Sequence, residues 1–197
     1  VDNRRAHYET TAPEIVKQLP NVTAFSCAVG TGGTLAGCAM YFKEHHPDIK
    51  IGHTDPCGAK LHRWYKDGEL KAEGDSITEG IGQGRVTANL EGFTPDYTFE
   101  IDDEAAMKCC FELLQNEGLA LGMSSGINVA GAERLAQALG PGNVLVTILC
   151  DSASRYQGKM FNREFMRSKG LPEPSWVDPK LPSDVAKALN DAKEKEE

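Results

Sequence analysis

The sequence is short of the features that mark several large functional classes. No apolar run approaches the roughly 20 residues that a membrane-crossing helix requires. Positive charge is in deficit: 21 Lys and Arg against 29 Asp and Glu leave a net charge of -8. No basic cluster offsets that balance, which argues against a nucleic-acid partner. Six cysteines occur (Cys27, Cys38, Cys57, Cys109, Cys110 and Cys150), but none forms a CxxC pair. His7, His45, His46, His53 and His62 are not spaced with them as zinc ligands would be, so no metal site is expected. The cysteines read as reduced, small apolar residues of an intracellular protein. No internal repeat is visible. Asn21-Val22-Thr23 fits a glycosylation acceptor, yet no secretory signal or transit pattern precedes it. The chain starts at Val1 and enters a helical pattern almost at once, from which we expect a chain cut, or only partly captured, at its N-terminus.

What is present suits one ordinary globular domain with a tail: 197 residues, 40% hydrophobic and 25% charged. Tyr8, Ala12, Ile15, Val16 and Leu19 recur at helical spacing up to Pro20. Val22–Val29 reads as a buried strand, Leu35, Cys38, Ala39 and Phe42 mark a helix ending near His46-Pro47, and Ile49–Asp55 reads as a second strand whose His53-Thr54 pair interrupts its apolar character. A short helix over Lys60–Lys66 follows, then an irregular glycine-rich stretch from Gly68 to Pro95, too long for an idle connection. Tyr97–Ile101 is a strand, and Asp102 caps a helix with Met107, Cys110, Phe111 and Leu114 on one face. A further helix carries Ile127, Ala130, Gly131, Leu135 and Ala138 inward, and Val144–Cys150 is the most strand-like run of all. Strands alternating with helices imply an α/β fold, a mainly parallel sheet with helices on both faces. The domain is expected over residues 1–176, with 177–197 a charged tail, helical or disordered.

Ligands of open parallel sheets collect at the carboxyl ends of strands. Gly30–Gly37, the Glu79–Asn89 loop and Asp151–Arg155 all fall there, and Ser124-Ser125-Gly126 opens a helix. In "GTGGT", Gly30 to Thr34, successive glycines let main-chain N–H groups turn inward, the following helix adds its positive end, and two threonines add donors. That chemistry suits a phosphate monoester. A P-loop is not formed because no Lys follows Gly37, and the dinucleotide pattern GxGxxG fails because position 35 is Leu. An acidic ribose partner has one candidate, Asp55. Ser152, at the end of a strand, either hydrogen-bonds a ring nitrogen without fixing its charge or caps the helix starting near Ala153.

Five segments in order, "HYETTAPEI", "AVGTGGTLAG", "ITEGIGQGRVTANL", "GLALGMSSGINVAGA" and "VTILCDSASRYQGKMFN", resemble cysteine synthases of the fold type II pyridoxal-phosphate enzymes, from about His7 to Trp176. The resemblance implies the larger cofactor domain of that fold, incomplete at the N-terminus, with pyridoxal 5′-phosphate as cofactor. It places the cofactor phosphate on Gly30, Thr31, Gly32, Gly33 and Thr34, the backbone of Gly80, Ile81 and Gly82 beside the cofactor, and Ser152 on the pyridine nitrogen. It implies β-replacement on O-acetylserine with sulfide to give cysteine, a homodimer when full length, and a cytoplasmic or mitochondrial setting. The Schiff-base lysine of the family belongs to an N-terminal segment not found among these residues, so no catalytic residue is expected in this chain; Lys60 and Lys66 are the local candidates that polarity does not dismiss. Cystathionine β-synthase, serine/threonine dehydratase and an inactive truncated family member remain as alternatives. Cys150 departs from the pattern, standing where many relatives have proline.

Overall fold

The computed structural model describes residues 2–173; the expected boundary at Trp176 and the charged tail lie outside the described residues. The N-terminal apolar spacing forms α1 (Asp2–Ala6), a π-helical turn (His7–Thr11) and α2 (Ala12–Gln18). Then come β1 (Ala24–Ala28), α3 (Gly33–His45), β2 (Lys50–Pro56) and α4 (Leu61–Asp67). The stretch expected to be irregular is so, apart from one 3-10 turn at Ala88–Leu90. It leads into β3 (Tyr97–Ile101), α5 (Asp103–Glu117), α6 (Met123–Leu139), β4 (Leu145–Thr147), a 3-10 turn at Ala153–Tyr156 and α7 (Arg163–Ser168). Asp102 caps α5 as expected: its carboxylate accepts the Ala105 N–H.

All four strands are parallel, in the order β3-β2-β1-β4. Each face of the sheet has its own core. Phe25, Leu35, Phe42, Leu61 and Phe93 fill one beneath α3 and the N-terminal helices. Ile101, Met107, Phe111, Ile127 and Met160 fill the other beneath α5 and α6. Every strand therefore sits between helices, as the alternating pattern required.

Two expectations are corrected. The run Val144–Cys150 is strand only over Leu145–Thr147, and Leu149 beyond it is 48% exposed. This strand pairs with β1 alone, so apolar side chains that a second neighbour would cover stay half-buried. On α6, Ile127, Ala130, Gly131 and Leu135 are buried as expected, whereas Ala138 is exposed in the last turn.

The polar residues of β2 do not interrupt it. His53, Thr54 and Asp55 are fully buried within an unbroken strand. His53 Nε2 lies 3.3 Å from Asp55 Oδ1, and Asp55 Oδ2 accepts the His62 N–H at 2.7 Å. The Thr98 hydroxyl stands between two imidazoles, 2.9 Å from His53 Nδ1 and 3.1 Å from His62 Nδ1. These contacts offset much of the burial cost for His53 and Asp55, while Thr54 Oγ1 has no hydrogen-bond partner among the described residues.

Burial, and then the charge of Lys66, hold the His62 imidazole below its ordinary value. The unfolded chain therefore takes up a proton that the folded chain refuses as pH falls through about 6.5. Stability contributed by neutral His62 is present above that pH and is lost below it, down to the depressed folded value. Urea midpoints measured near pH 7.5 and near pH 5.5 are expected to fall on acidification, and the fall should shrink in His62→Gln. An identical pH slope in the variant would remove His62 from the account.

The cysteines carry no disulfide among the described residues. Cys27, Cys38, Cys109 and Cys110 are buried, and burial pushes the thiols of Cys38, Cys109 and Cys110 up to about 12. Such thiols pack as apolar groups and do not react.

Candidate functional site

The site is assembled where β1 ends. Gly32, at φ 86°, turns the chain into α3 in the left-handed region, and a Cβ there would lie 2.7 Å from the Leu90 side chain. The first bond along α3 runs from Ala36 N–H to Gly32 O, so the N–H groups of Gly33, Thr34 and Leu35 precede the helical ladder. The Thr31 carbonyl is drawn away from the cup by Thr87 Oγ1 at 2.7 Å and Asn89 Nδ2 at 3.0 Å, both donating to it. What remains on the inner side is a set of donors with the positive end of a 13-residue helix behind them.

The glycine-rich loop after β2 is laced to this cup. Gly82 N–H donates to Val29 O at 3.0 Å, alongside the Thr87 and Asn89 contacts to Thr31. At its other side the loop is anchored by Lys159, which donates to Ile77 O at 3.1 Å and pairs with Glu79 at 2.6 Å. Hydrogen bonding from Lys159, reinforced by its charge, holds the Glu79 carboxyl below its usual range.

Two adjoining cavities result. The first, about 160 Å³, is lined by all five residues Gly30 to Thr34, with Ile81, Asn128 and Cys150 on the opposite wall. The second, about 310 Å³, is lined by Gly80, Ile81, Ser124, Cys150, Asp151 and Tyr156 among others. Ile81 and Cys150 belong to both, so the cup opens toward the N-terminus of α6. Burial pushes the Cys150 thiol up despite its bonds to Ser124 and Asn128.

Of the residues singled out in the sequence, Gly30, Thr31, Gly32, Gly33, Thr34, Gly80 and Ile81 line this pair of cavities. Gly82 stands behind them, holding the loop to Val29. Ser152 lines neither. It is exposed, and its hydroxyl accepts the Ser154 N–H at 3.2 Å, capping the 3-10 turn. The serine that does face the second cavity is Ser124, which is 4% exposed. Lys60 and Lys66 line neither cavity, and no other lysine among the described residues does. Asp55, the candidate ribose partner, is fully buried against His53 and His62 and reaches no ligand.

Some site residues gave no separate signal in the sequence. Asn128, 1% exposed, ties the ends of two strands: it accepts the Ala28 N–H at 2.7 Å and donates to Ile148 O at 2.7 Å. His7 sits in the π turn with Nδ1 2.9 Å from Thr11 Oγ1 and Nε2 3.1 Å from Thr34 Oγ1, so the N-terminal helix braces the cup from outside. Asn3 accepts from Thr31 Oγ1 at 3.3 Å. The pattern "SSGINV" carried Asn128 within it, but pairing that amide with β1 required the fold.

The donors suit a phosphate dianion. Comparison with known proteins agrees. The family model for pyridoxal-phosphate dependent enzymes matches residues 1–151. Cysteine synthase 1 of Neurospora crassa is 45% identical over 177 residues, covering 87% of this chain and 47% of that protein. Cysteine synthase 1 of Emericella nidulans is 46% identical over 175 residues, 86% of this chain and 47% of the relative. Among solved structures, an O-acetylserine dependent cystathionine beta-synthase from Helicobacter pylori superposes with a TM-score of 0.72 at 36% identity, over 80% of this chain and 50% of that one. The chain thus spans about half the length of the curated relatives it matches.

Proposed function

We propose, since this chain belongs to the pyridoxal-phosphate-dependent enzyme family, that it forms the phosphate-holding part of a cysteine synthase-like site for β-replacement. The observation that carries the reading is the convergence of Gly30–Thr34, Ile81 and Cys150 on one cavity that continues to Ser124. Backbone N–H groups of Gly33, Thr34 and Leu35, with the Thr31 and Thr34 hydroxyls, hold the cofactor phosphate. Gly80, Ile81 and Gly82 border the ring. The resemblance assigns the ring nitrogen to Ser152, next to Asp151 in the lining of the second cavity, and we keep the role there; Ser124 is the serine that lines that cavity itself.

When bound, pyridoxal phosphate supplies an electron sink for bond breaking at the amino-acid substrate. The chain's own residues bind and orient. Ile81 and Ile148 give the first cavity an apolar wall that would exclude water, and Asn128 fixes that wall by joining β1 to the end of β4. The substrate pair is O-acetylserine, which loses acetate, and sulfide, which takes its place. A homodimer is the assembly that the resemblance implies. Among the described residues no lysine lines either cavity, which supports the reading that the covalent anchor is not supplied by this part of the protein.

Equilibrium dialysis of the purified chain against pyridoxal 5′-phosphate is expected to show saturable binding that inorganic phosphate competes away. No saturation below about 1 mM would reject the reading. An absorbance band of a lysine-linked cofactor from this chain alone would overturn the anchor-free part. The likeness to the Helicobacter pylori protein supports a second reading, cystathionine synthesis. Product analysis with sulfide against homocysteine as the incoming thiol separates the two.

A further inference from the structure

The glycine-rich loop that borders both cavities is gripped from outside them. Ile77, 8% exposed, packs into the core beneath α5 and α6 just before the loop reaches the site. Both of its main-chain polar groups are met by charged side chains from distant parts of the chain. Asp103 Oδ2, in the first turn of α5, accepts the Ile77 N–H at 2.8 Å, and its other oxygen accepts the Ser76 hydroxyl. Lys159 Nζ donates to the Ile77 carbonyl at 3.1 Å and to Glu79 Oε1 at 2.6 Å.

From that clamp the chain runs on as a strap beside the cavities. Glu79, Gly80 and Ile81 line the second cavity, and their main-chain groups make no hydrogen bond among the described residues. The next fixed point is Gly82, whose N–H donates to Val29 O. Where the strap lies is therefore set by the posts at its two ends. It touches the cup closely: a Cβ on Gly30 would lie 2.8 Å from Gly80 O. Lys159 is itself well seated. Its N–H donates to Tyr156 O at 2.9 Å, and the next residue, Met160, is 1% exposed. The Lys159 side chain is 30% exposed and that of Glu79 56%, so the ion pair alone contributes little. The bond to the Ile77 carbonyl is what gives the ammonium a hold on the main chain.

We infer that Lys159 is a positioning residue: with Asp103 it clamps the main chain of Ile77 and so fixes the strap of residues 79–82 against the glycine cup, as a wall for the bound ligand. That the wall faces a cofactor rests on the pyridoxal-phosphate reading of the cavities; the clamp itself does not. Lys159 lines neither cavity and acts only through the strap. Without its ammonium the Ile77 carbonyl loses this donor, Glu79 loses its counterion, and the strap is held at Gly82 alone. Arginine at this position keeps donors for both acceptors, whereas methionine fills a similar volume with none.

Amide hydrogen exchange, read residue by residue by NMR, follows the strap directly. In Lys159→Met the Gly82 amide is expected to exchange about tenfold faster than in the wild-type chain, while the Ala36 amide, bonded to Gly32 O at the start of α3, keeps its rate. Lys159→Arg should restore the slow Gly82 rate. Asp103→Ala releases the other half of the clamp and should act as Lys159→Met does; it serves should the methionine chain not fold. Affinity for pyridoxine 5′-phosphate, which has no aldehyde and so needs no lysine, should fall about threefold to tenfold in Lys159→Met and recover in Lys159→Arg. An unchanged Gly82 rate in a folded variant overturns the inference. Equal acceleration of both amides also overturns it, since the whole domain is then loosened, and so does acceleration that arginine fails to reverse. If the wild-type chain binds no pyridoxine 5′-phosphate, the cofactor reading fails, and the exchange rates alone then uphold or overturn the clamp.

Discussion

Gly32→Val is expected to weaken binding of pyridoxine 5′-phosphate to this chain by about a hundredfold, equivalent to about 2.8 kcal/mol. Two costs fall on that one position. A branched residue at φ 86° occupies the left-handed region, which costs an L-residue roughly 1–2 kcal/mol. The added carbons also collide with Leu90, whose side chain already lies 2.7 Å from the first of them, and overpacking of this kind costs about 1–3 kcal/mol. Relief comes from moving the turn, and the turn is what aims the N–H groups of Gly33, Thr34 and Leu35. Calorimetric titration of both chains measures the loss, with circular dichroism confirming that the variant is folded. A folded variant that binds within threefold of wild type would show that the anion sits elsewhere.

Asp55→Ala is expected to lower the free energy of unfolding by about 3–4 kcal/mol, the upper range for breaking a buried polar network. The His62 N–H that opens α4 loses its acceptor, and His53 Nε2 loses the carboxylate 3.3 Å away, both beside a side chain that is fully buried. Asp55→Asn should cost less, about 1–2 kcal/mol, because the amide oxygen still accepts from His62. Urea denaturation of the three chains provides the comparison. Since whole domains are stable by only about 5–15 kcal/mol, the alanine chain is expected to be partly unfolded at room temperature. A change under 1 kcal/mol would mean that the cluster is held by packing alone.

The two predictions draw on different kinds of information. Gly32 stands in a run that invites suspicion on sight, because four glycines between an apolar strand and a helix have few structural uses. Asp55 looked from the sequence like the end of a strand and a possible sugar partner. In the fold it points into the core, against a histidine two residues back and the start of the next helix. The sheet decided this by placing Thr98 of β3 beside His53, so that His53 and Asp55 could be partnered instead of solvated.

Ser152 and Ser124 make the same contrast within the site. Local pattern gave Ser152 a claim on a ring nitrogen and gave Ser124 only the opening of a helix. Ser152 spends its hydroxyl on the 3-10 turn, and its side chain faces solvent. Ser124 opens α6, whose N-terminus is brought beneath the cup because α6 packs across β1 and β2. Capping competes locally for a serine hydroxyl, and only the path of the chain tells which serine is left over.

By itself the sequence determined the alternation of strands and helices, the glycine cup, and membership of a cofactor family, since period, turn chemistry and linked motifs are local properties of the chain. Tertiary structure alone decided that β4 stands at the sheet edge, that His53 and Asp55 are partners, that Asn128 joins two strand ends, and that Asp151 reaches Ser124. The strand edge, the Asn128 bridge and the Asp151 contact depend on residues far apart in sequence meeting at a few ångströms, and the His53-Asp55 pair is buried only because Thr98 and His62 close over it.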